Sequence, residues 1–260
     1  MAQRQSRFDR DDELVVMKFG GTSVEDAAAI RRLLAIVKCR LDAQAVVVVS
    51  ALARVTDQLL EAGKAAAGGH LGAALSGVRS IYVRHDLLAE ELLGPNHGLG
   101  HDFRREFGEL ESLLVDLERS RELDLQSQDR MLGFGECLSS KLVGAALTLA
   151  GANAKHVDAR ECIVTDGQHG QANPLWDVTS ERVRDLLSPL LDAGHVLVLG
   201  GFIAATESGT PTTLGRGGSD FSAAILGAAL GASRVEIWTD VDGIMTTDPK
   251  LCAEARVIPR

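Results

Sequence analysis

The chain has 260 residues, 45% hydrophobic but only 4% aromatic, and a formal net charge of −9. That length suits one large α/β domain or two small ones, with a core of Val, Leu, Ile and Ala. The acidic balance excludes general binding to nucleic acid or to an anionic membrane, which need a basic face, and leaves room only for a local basic pocket. Cys39, Cys137, Cys162 and Cys252 are far apart and form no CxxC pair. Neither a zinc site nor a disulfide framework is therefore expected, and a reducing cytoplasm fits. No apolar run approaches the roughly 20 residues of a membrane span.

Residues 1–13 are charged and lack an apolar centre, so they read as a frayed tail and not a signal peptide. LVVMKF (14–19), closed by Gly20 and Gly21, reads as a buried strand. In the next segment Ile30, Leu33, Leu34, Val37 and Leu41 recur at helical spacing. Ser23 is the expected N-cap there, with Glu25 and Asp26 at the positive end of the helix dipole. AVVVVS (45–50) is bare of polar residues until its end, as in a strand covered on both faces. From 57 to 128 helical patterns such as IYVRHDLLAEELL dominate, and they predict a helical layer within the same domain. RMLGFGECLSSKLVGAALTLAGA (130–152) predicts a Gly-rich turn feeding an apolar helix, with Glu136 near its start. AKHVDA (154–159) reads as a strand, VTSERVRDLLSPLLDAG as a helix stopped by Gly194, and HVLVLGGFIA (195–204) as one strand. FSAAILGAALGAS follows as a helix, RVEIWTD (234–240) as a strand and DGIMTTDPK as a loop or hairpin. Strands alternating with helices predict one domain over 14–260, a three-layer αβα sandwich with a mainly parallel sheet.

Polar clusters follow the predicted strands, and in open parallel sheets ligands bind at the carboxyl ends of strands. In KFGGTS, Lys18 lies at the strand end, Gly20 and Gly21 admit an anion to the backbone, and Thr22 and Ser23 open a helix. Neither GxxxxGK[ST] nor GxGxxG occurs, which disfavours a P-loop and a dinucleotide fold. Ser50 and Thr56 are substrate contacts or helix caps. Glu136 in GFGE is a dipole-stabilised cap or a grip for an ammonium group. In GRGGSD (215–220), Arg216 offers a planar fork to a carboxylate or phosphate, and Gly217 and Gly218 offer backbone N–H groups. Asp220 begins the next helix; the alternative is a mutual Arg216–Asp220 ion pair. In WTDVDGIMTTDPK (238–250), Thr239, Asp240 and Lys250 suit a nucleotide, whereas surface turns alone explain Asp242 and Asp248.

KFGGTSV, VVVSALARVTD, the Gly-Glu of GFGECLSS, TTLGRGGSD and IWTDVDGIMTTDP stand in the order seen in aspartate kinases. From about Val15 to its last residue the chain resembles that family, within the amino acid kinase superfamily. The long helical stretch resembles aspartate kinases more than acetylglutamate or uridylate kinases. The resemblance implies transfer of the γ-phosphate of ATP, with Mg2+, to the side-chain carboxylate of L-aspartate. The product, 4-phospho-L-aspartate, leads towards lysine, threonine and methionine. By resemblance Lys18 and Asp220 are catalytic, Lys18 neutralising the phosphates and Asp220 ordering Lys18 and the reacting groups. Arg216 holds the α-carboxylate of aspartate and Glu136 its ammonium, with Ser50, Thr56, Gly217, Gly218 and Ser219 completing the pocket. Gly20, Gly21, Thr22, Ser23, Thr239, Asp240, Met245 and Lys250 join Lys18 around ATP, and no side chain is assigned to a metal.

Many family members carry Tyr at the position of Met245 and Arg at that of Lys250. The chain ends at ARVIPR, before the FGAKVLHP-like segment and ACT domains usual in the family. The expectation is a fragment, or a split or shortened protein, with a homodimer as the assembly of the intact form. The alternatives are another amino-acid or carboxylate kinase of this fold, and a form that binds without catalysis.

Overall fold

A computed structural model describes residues 13–239, 243, 245–247, 251–252 and 254–258. The strands are β1 (Val15–Phe19), β2 (Ala45–Val49), β3 (Ala154–His156), β4 (Val164–Thr165), β5 (Val196–Gly200), β6 (Ile203–Thr206), β7 (Pro211–Thr213) and β8 (Arg234–Trp238). The helices are α1 (Ala27–Lys38), α2 (Val55–Ala67), α3 (Leu71–Leu93), α4 (Gly100–Ser120), α5 (Leu125–Leu149), α6 (Trp176–Asp192) and α7 (Gly218–Leu230). Five strands form one sheet in the order β3-β5-β2-β1-β8, every neighbouring pair parallel. The three-layer sandwich is the expected one.

Strand alternation sorts the core into two halves. Val15, Met17, Phe19, Val47, Val49 and Val198 face a cluster supplied by α1 to α5. Leu14, Val16, Val46, Val48, Leu197 and Leu199 face a second cluster with α6 and α7. Lys18 continues the second series, so its side chain leaves β1 on the α7 side. Gly200 continues the first and meets α5. Between 57 and 128 the chain forms most of α2, all of α3 and α4, and the start of α5.

Four local expectations are corrected. The N-cap of α1 is Asp26, whose side chain accepts from the Ala29 amide, and not Ser23. Thr22 and Ser23 instead lie in a single 3-10 turn at Gly21–Ser23. GFGE is no turn: Gly133, Gly135 and Glu136 lie midway along the 25-residue helix α5, so Glu136 is not a cap at its start. HVLVLGGFIA is two strands, because the chain leaves the main sheet after Gly200 and joins a second sheet at Ile203. Phe202 makes that switch with a positive φ of 65°. The second sheet has the order β4-β6-β7, with β6 antiparallel to β7, and the sequence reading did not anticipate it.

The glycines of GFGE are packing residues. A Cβ on Gly135 would lie 2.7 Å from Ala51 Cβ and 3.3 Å from a Val55 methyl, and one on Gly133 3.2 Å from Ile203. Glycine thus lets α5 press against the end of β2 and the start of α2. Alanine at position 135 would gain about 1 kcal/mol in helix propensity. The clash should cost about 1–3 kcal/mol, as overpacked cores do, and so prevail. Thermal unfolding of Gly135→Ala should therefore show a melting temperature several degrees below the parent. A melting temperature above the parent would mean that propensity wins and the close approach is not limiting.

Candidate functional site

At the carboxyl ends of β1, β2 and β5 lies a cavity of about 430 Å³. It is lined by Lys18, Gly21, Ser50, Thr56, Glu136, Arg216, Gly217, Gly218, Ser219 and Asp220 among the residues that the sequence singled out. Each arrives for a local reason. Lys18 ends the α7-facing series of β1. Ser50 follows β2, its amide bonded to Phe19 O at 3.1 Å. Glu136 comes down from α5, and Gly215 to Asp220 form the turn into α7.

Lys18 Nζ meets Asp220 Oδ1 at 2.7 Å. The lysine side chain is 12% exposed and the aspartate 53%, so the pair sits at the inner edge of an open crevice. Arg216 is exposed and forms no ion pair with any described residue. The alternative Arg216–Asp220 pair is thereby replaced by a pair across the crevice, and the guanidinium is left to the cavity. Gly215 and Gly217 take φ values of 74° and 75°, a region that glycine enters without penalty. Gly218 is needed for space, since a Cβ there would come within 2.8 Å of the Phe202 ring.

Glu136 is 3% exposed. Its Oε1 accepts from the Ala51 amide at 3.2 Å, while Oε2 is buried with no hydrogen-bond partner among the described residues. Burial, only partly offset by the Ala51 amide, pushes its carboxyl from the ordinary 4.5 up to about 8. The helix carries this group close to the sheet because a Cβ on Gly200 would lie 3.0 Å from both Glu136 Cβ and Glu136 O. The Ser139 hydroxyl anchors the same turn to Ser50 O at 2.8 Å. At neutral pH the cavity thus holds Lys18, Arg54 and Arg216 against Asp57, Asp220 and a protonated Glu136. It is the local basic pocket that an acidic chain left room for, with one buried carboxyl ready to ionise when a cation approaches.

Other expected residues are placed elsewhere. Gly20 is not part of this cavity's lining, although a Cβ on it would lie 3.7 Å from Lys18 Nζ. Thr22, Ser23 and Thr239 line a neighbouring cavity of about 360 Å³ beside the stacked rings of Phe19 and Trp238. Met245 forms a backbone bridge with Val257. Asp240 and Lys250 lie outside the described residues, as do Asp242, Asp248 and residues 1–12 of the tail. Sequence reasoning missed Ala51, Arg54, Asp57 and Phe202 on the cavity wall. Arg54 takes a left-handed φ of 70° at the start of α2, and backbone of that kind collects at functional sites. Its basic side chain in SALARVTD was the available signal.

Fold and cavity together define an α/β protein that can hold an amphoteric small molecule beside a strand-end lysine. The chain belongs to the amino acid kinase family, matched over residues 13–260. It is 35% identical over 253 residues to aspartokinase 3, chloroplastic, of Arabidopsis thaliana, covering 94% of this chain and 44% of that protein. It is 36% identical over 248 residues to the lysine-sensitive aspartokinase 3 of Escherichia coli K12, covering 95% and 53%. The crystal structure of E. coli aspartokinase III in complex with aspartate and ADP (R-state) superposes with a TM-score of 0.85 at 35% identity, over 95% of this chain and 53% of that one. An isopentenyl phosphate kinase, at 16% identity and a TM-score of 0.51, shares the fold alone. The chain spans about half the length of the curated relatives it matches. No helix among the described residues is long and apolar enough to cross a membrane.

The Glu136 carboxyl is held protonated in the folded protein up to about pH 8, whereas in the unfolded chain it ionises near 4.5. Between these values the folded state holds the extra proton, so its stability falls as pH rises, by about 1.4 kcal/mol per pH unit, and levels off above the folded value. Glu136→Gln should remove this contribution. Thermal melts of the ligand-free protein at several pH values across that window should show a smaller alkaline loss in the variant. Parallel curves would mean that Glu136 is already ionised in the folded state.

Proposed function

We propose that the chain is the catalytic region of an aspartate kinase, transferring the γ-phosphoryl group of ATP to the side-chain carboxylate of L-aspartate. The observation that carries this reading is Glu136 Oε2, buried with no partner among the described residues, in a cavity it shares with Lys18 and Arg216. A buried carboxylate oxygen needs a donor, and an ammonium group is the donor that also favours its ionisation. Arg216, free of internal ion pairs among the described residues, suits the α-carboxylate. The side-chain carboxylate is then left for the lysine end of the cavity. The resemblance to aspartokinases, one of them solved with aspartate and ADP, supports the same assignment.

An aspartate side chain is ionised at neutral pH, so the nucleophile requires no general base. Catalysis then reduces to alignment and to neutralising charge on the transferred group. Lys18 supplies that charge, and Asp220 holds its ammonium in place. Ser50, Thr56 and Ser219 contribute hydroxyls, and Gly217 and Gly218 leave their backbone open to the ligand. ATP would approach along Gly20 and Gly21, with Thr22, Ser23, Thr239, Asp240, Met245 and Lys250 the residues assigned to it. Among the described residues no group of three or more His, Cys, Asp or Glu could hold a metal ion. A Mg2+ bound with ATP would add positive charge around the phosphoryl group as it transfers. The intact protein is read as a cytoplasmic homodimer that uses no nucleic acid and no membrane.

A coupled assay for ADP release should give turnover that saturates with both L-aspartate and ATP. Saturable phosphorylation of acetylglutamate without aspartate would assign a sister kinase instead, and calorimetric binding of aspartate or ATP without turnover a binding-only form. Lys18→Ala should lower kcat by about a hundredfold or more, as loss of a transition-state charge partner does, with aspartate binding little changed. Arg216→Ala should chiefly raise the aspartate KM, by roughly tenfold or more for a lost bidentate partner. Interchanged effects in the two variants would reverse the role assignment.

A further inference from the structure

Asp129 lies on α5, seven residues before Glu136, so two helical turns put both carboxylates on the same side of the helix. It is 1% exposed. Its carboxylate accepts from three groups that lie far away in the chain. The Gly170 amide donates at 3.0 Å to Oδ2 and 3.1 Å to Oδ1. His169 Nδ1 lies 2.8 Å from Oδ2, and the Thr213 hydroxyl donates to Oδ1 at 2.5 Å.

Two of these partners, Thr213 and Gly170, lead to the Arg216 turn. Thr213 is the last residue of β7, three positions before Arg216. Gly170 forms the other support: a Cβ on Gly215 would lie 3.2 Å from Gly170 O and 3.1 Å from Gln171 Cγ, so the 170–171 backbone is packed directly against the start of GRGG. Ala172 N bonds Thr213 O at 2.9 Å and closes the knot. The Arg216 turn is therefore tied to α5 through Asp129, and α5 is the element that carries Glu136. Glu136 is held by Ala51 and Gly200, and the Arg216 turn is held by this knot together with the Leu214–Phe202 backbone bond and the Lys18–Asp220 pair.

We propose that Asp129 is a positioning residue that sets the distance between Arg216 and Glu136, and with it the fit of the cavity to the ammonium and α-carboxylate of an amino acid. The proposal deepens the aspartate kinase reading and rests on it for the identity of the ligand. Asp129 is not among the residues that line the cavity, so it acts through Thr213 and Gly170 and not on substrate.

The test uses Asp129→Asn, which keeps the size and one acceptor, and Thr213→Val, which removes one donor without changing shape and serves if the first variant folds poorly. Two measurements are made on the full chain. Saturation kinetics should show the aspartate KM raised by about tenfold, the loss of roughly one hydrogen bond to a charged group, with the ATP KM unchanged and kcat within about twofold. Amide hydrogen exchange without substrate should be faster at Leu214 and Gly218, whose amides are bonded to Phe202 O and Gly215 O, and unchanged in β1 and β2. Unaltered exchange at those two amides overturns the proposal, as does an aspartate KM that stays within about twofold of the parent in an active chain. Faster exchange throughout the central sheet in both variants also overturns it, because Asp129 would then be a general stability residue. A parent chain inert toward aspartate, with exchange still raised locally in the variants, sinks the aspartate reading and upholds the positioning role.

Discussion

Everything at the site depends on how closely α5 approaches the ends of β2 and β5. A helix normally stands off a sheet by the width of its side chains. Here Gly135 meets Ala51 at a distance no Cβ would tolerate, and a Cβ on Gly200 would sit 3.0 Å from the backbone of Glu136, tighter than ordinary contact. The consequence is a carboxylate carried into the mouth of a parallel sheet and shut away from water there. With one oxygen on the Ala51 amide and the other without a partner, its charge is destabilised until a cation arrives. Packing and electrostatics are one constraint in this region: widening the gap would let in water, and the carboxyl would return to its ordinary acidity.

Opposite Glu136, the charges are arranged by strand alternation. Lys18 emerges on the α7 side of β1 and is met by Asp220 in the first turn of α7. The lysine is thereby held on the crevice wall while Arg216, four residues earlier, pairs with no described residue. Positive-φ positions at 215 and 217 make that turn, and with Phe202, at the switch between the sheets, they line the cavity. Strain and cavity share an address because a chain that must present charges without side-chain bulk has few other conformations to use.

Much of the fold was legible along the chain. β1, β2, β8, the helical stretch and the apolar helices carry unbroken periodic patterns, and their alternation requires a parallel sheet. The GFGE and HVLVLGGFIA misreadings share one cause, since glycine serves two purposes with the same local signature. In GRGGSD it supplies positive φ, as the spacing suggests. In GFGE it supplies nothing but absence of bulk inside a continuous helix, and only the neighbour across the interface distinguishes the two. HVLVLGGFIA hides a change of sheet for the same reason. The strands of the second sheet, two to four residues long, are too short for any period to register.

By itself the sequence determined the sandwich, the strand-end address of the polar clusters and the identity of the charged residues, because periodicity and residue chemistry are local properties. Only the tertiary structure decided which charges meet. Asp220 belongs to Lys18, 202 positions away in the chain, and not to Arg216 four positions away. It also decided that Glu136 is a buried, proton-bearing acid and not a helix cap, and that Asp129 is tied to the Arg216 turn. Pairing and desolvation depend on distances across the packed interface between α5, the sheet and α7, and no local pattern encodes those distances.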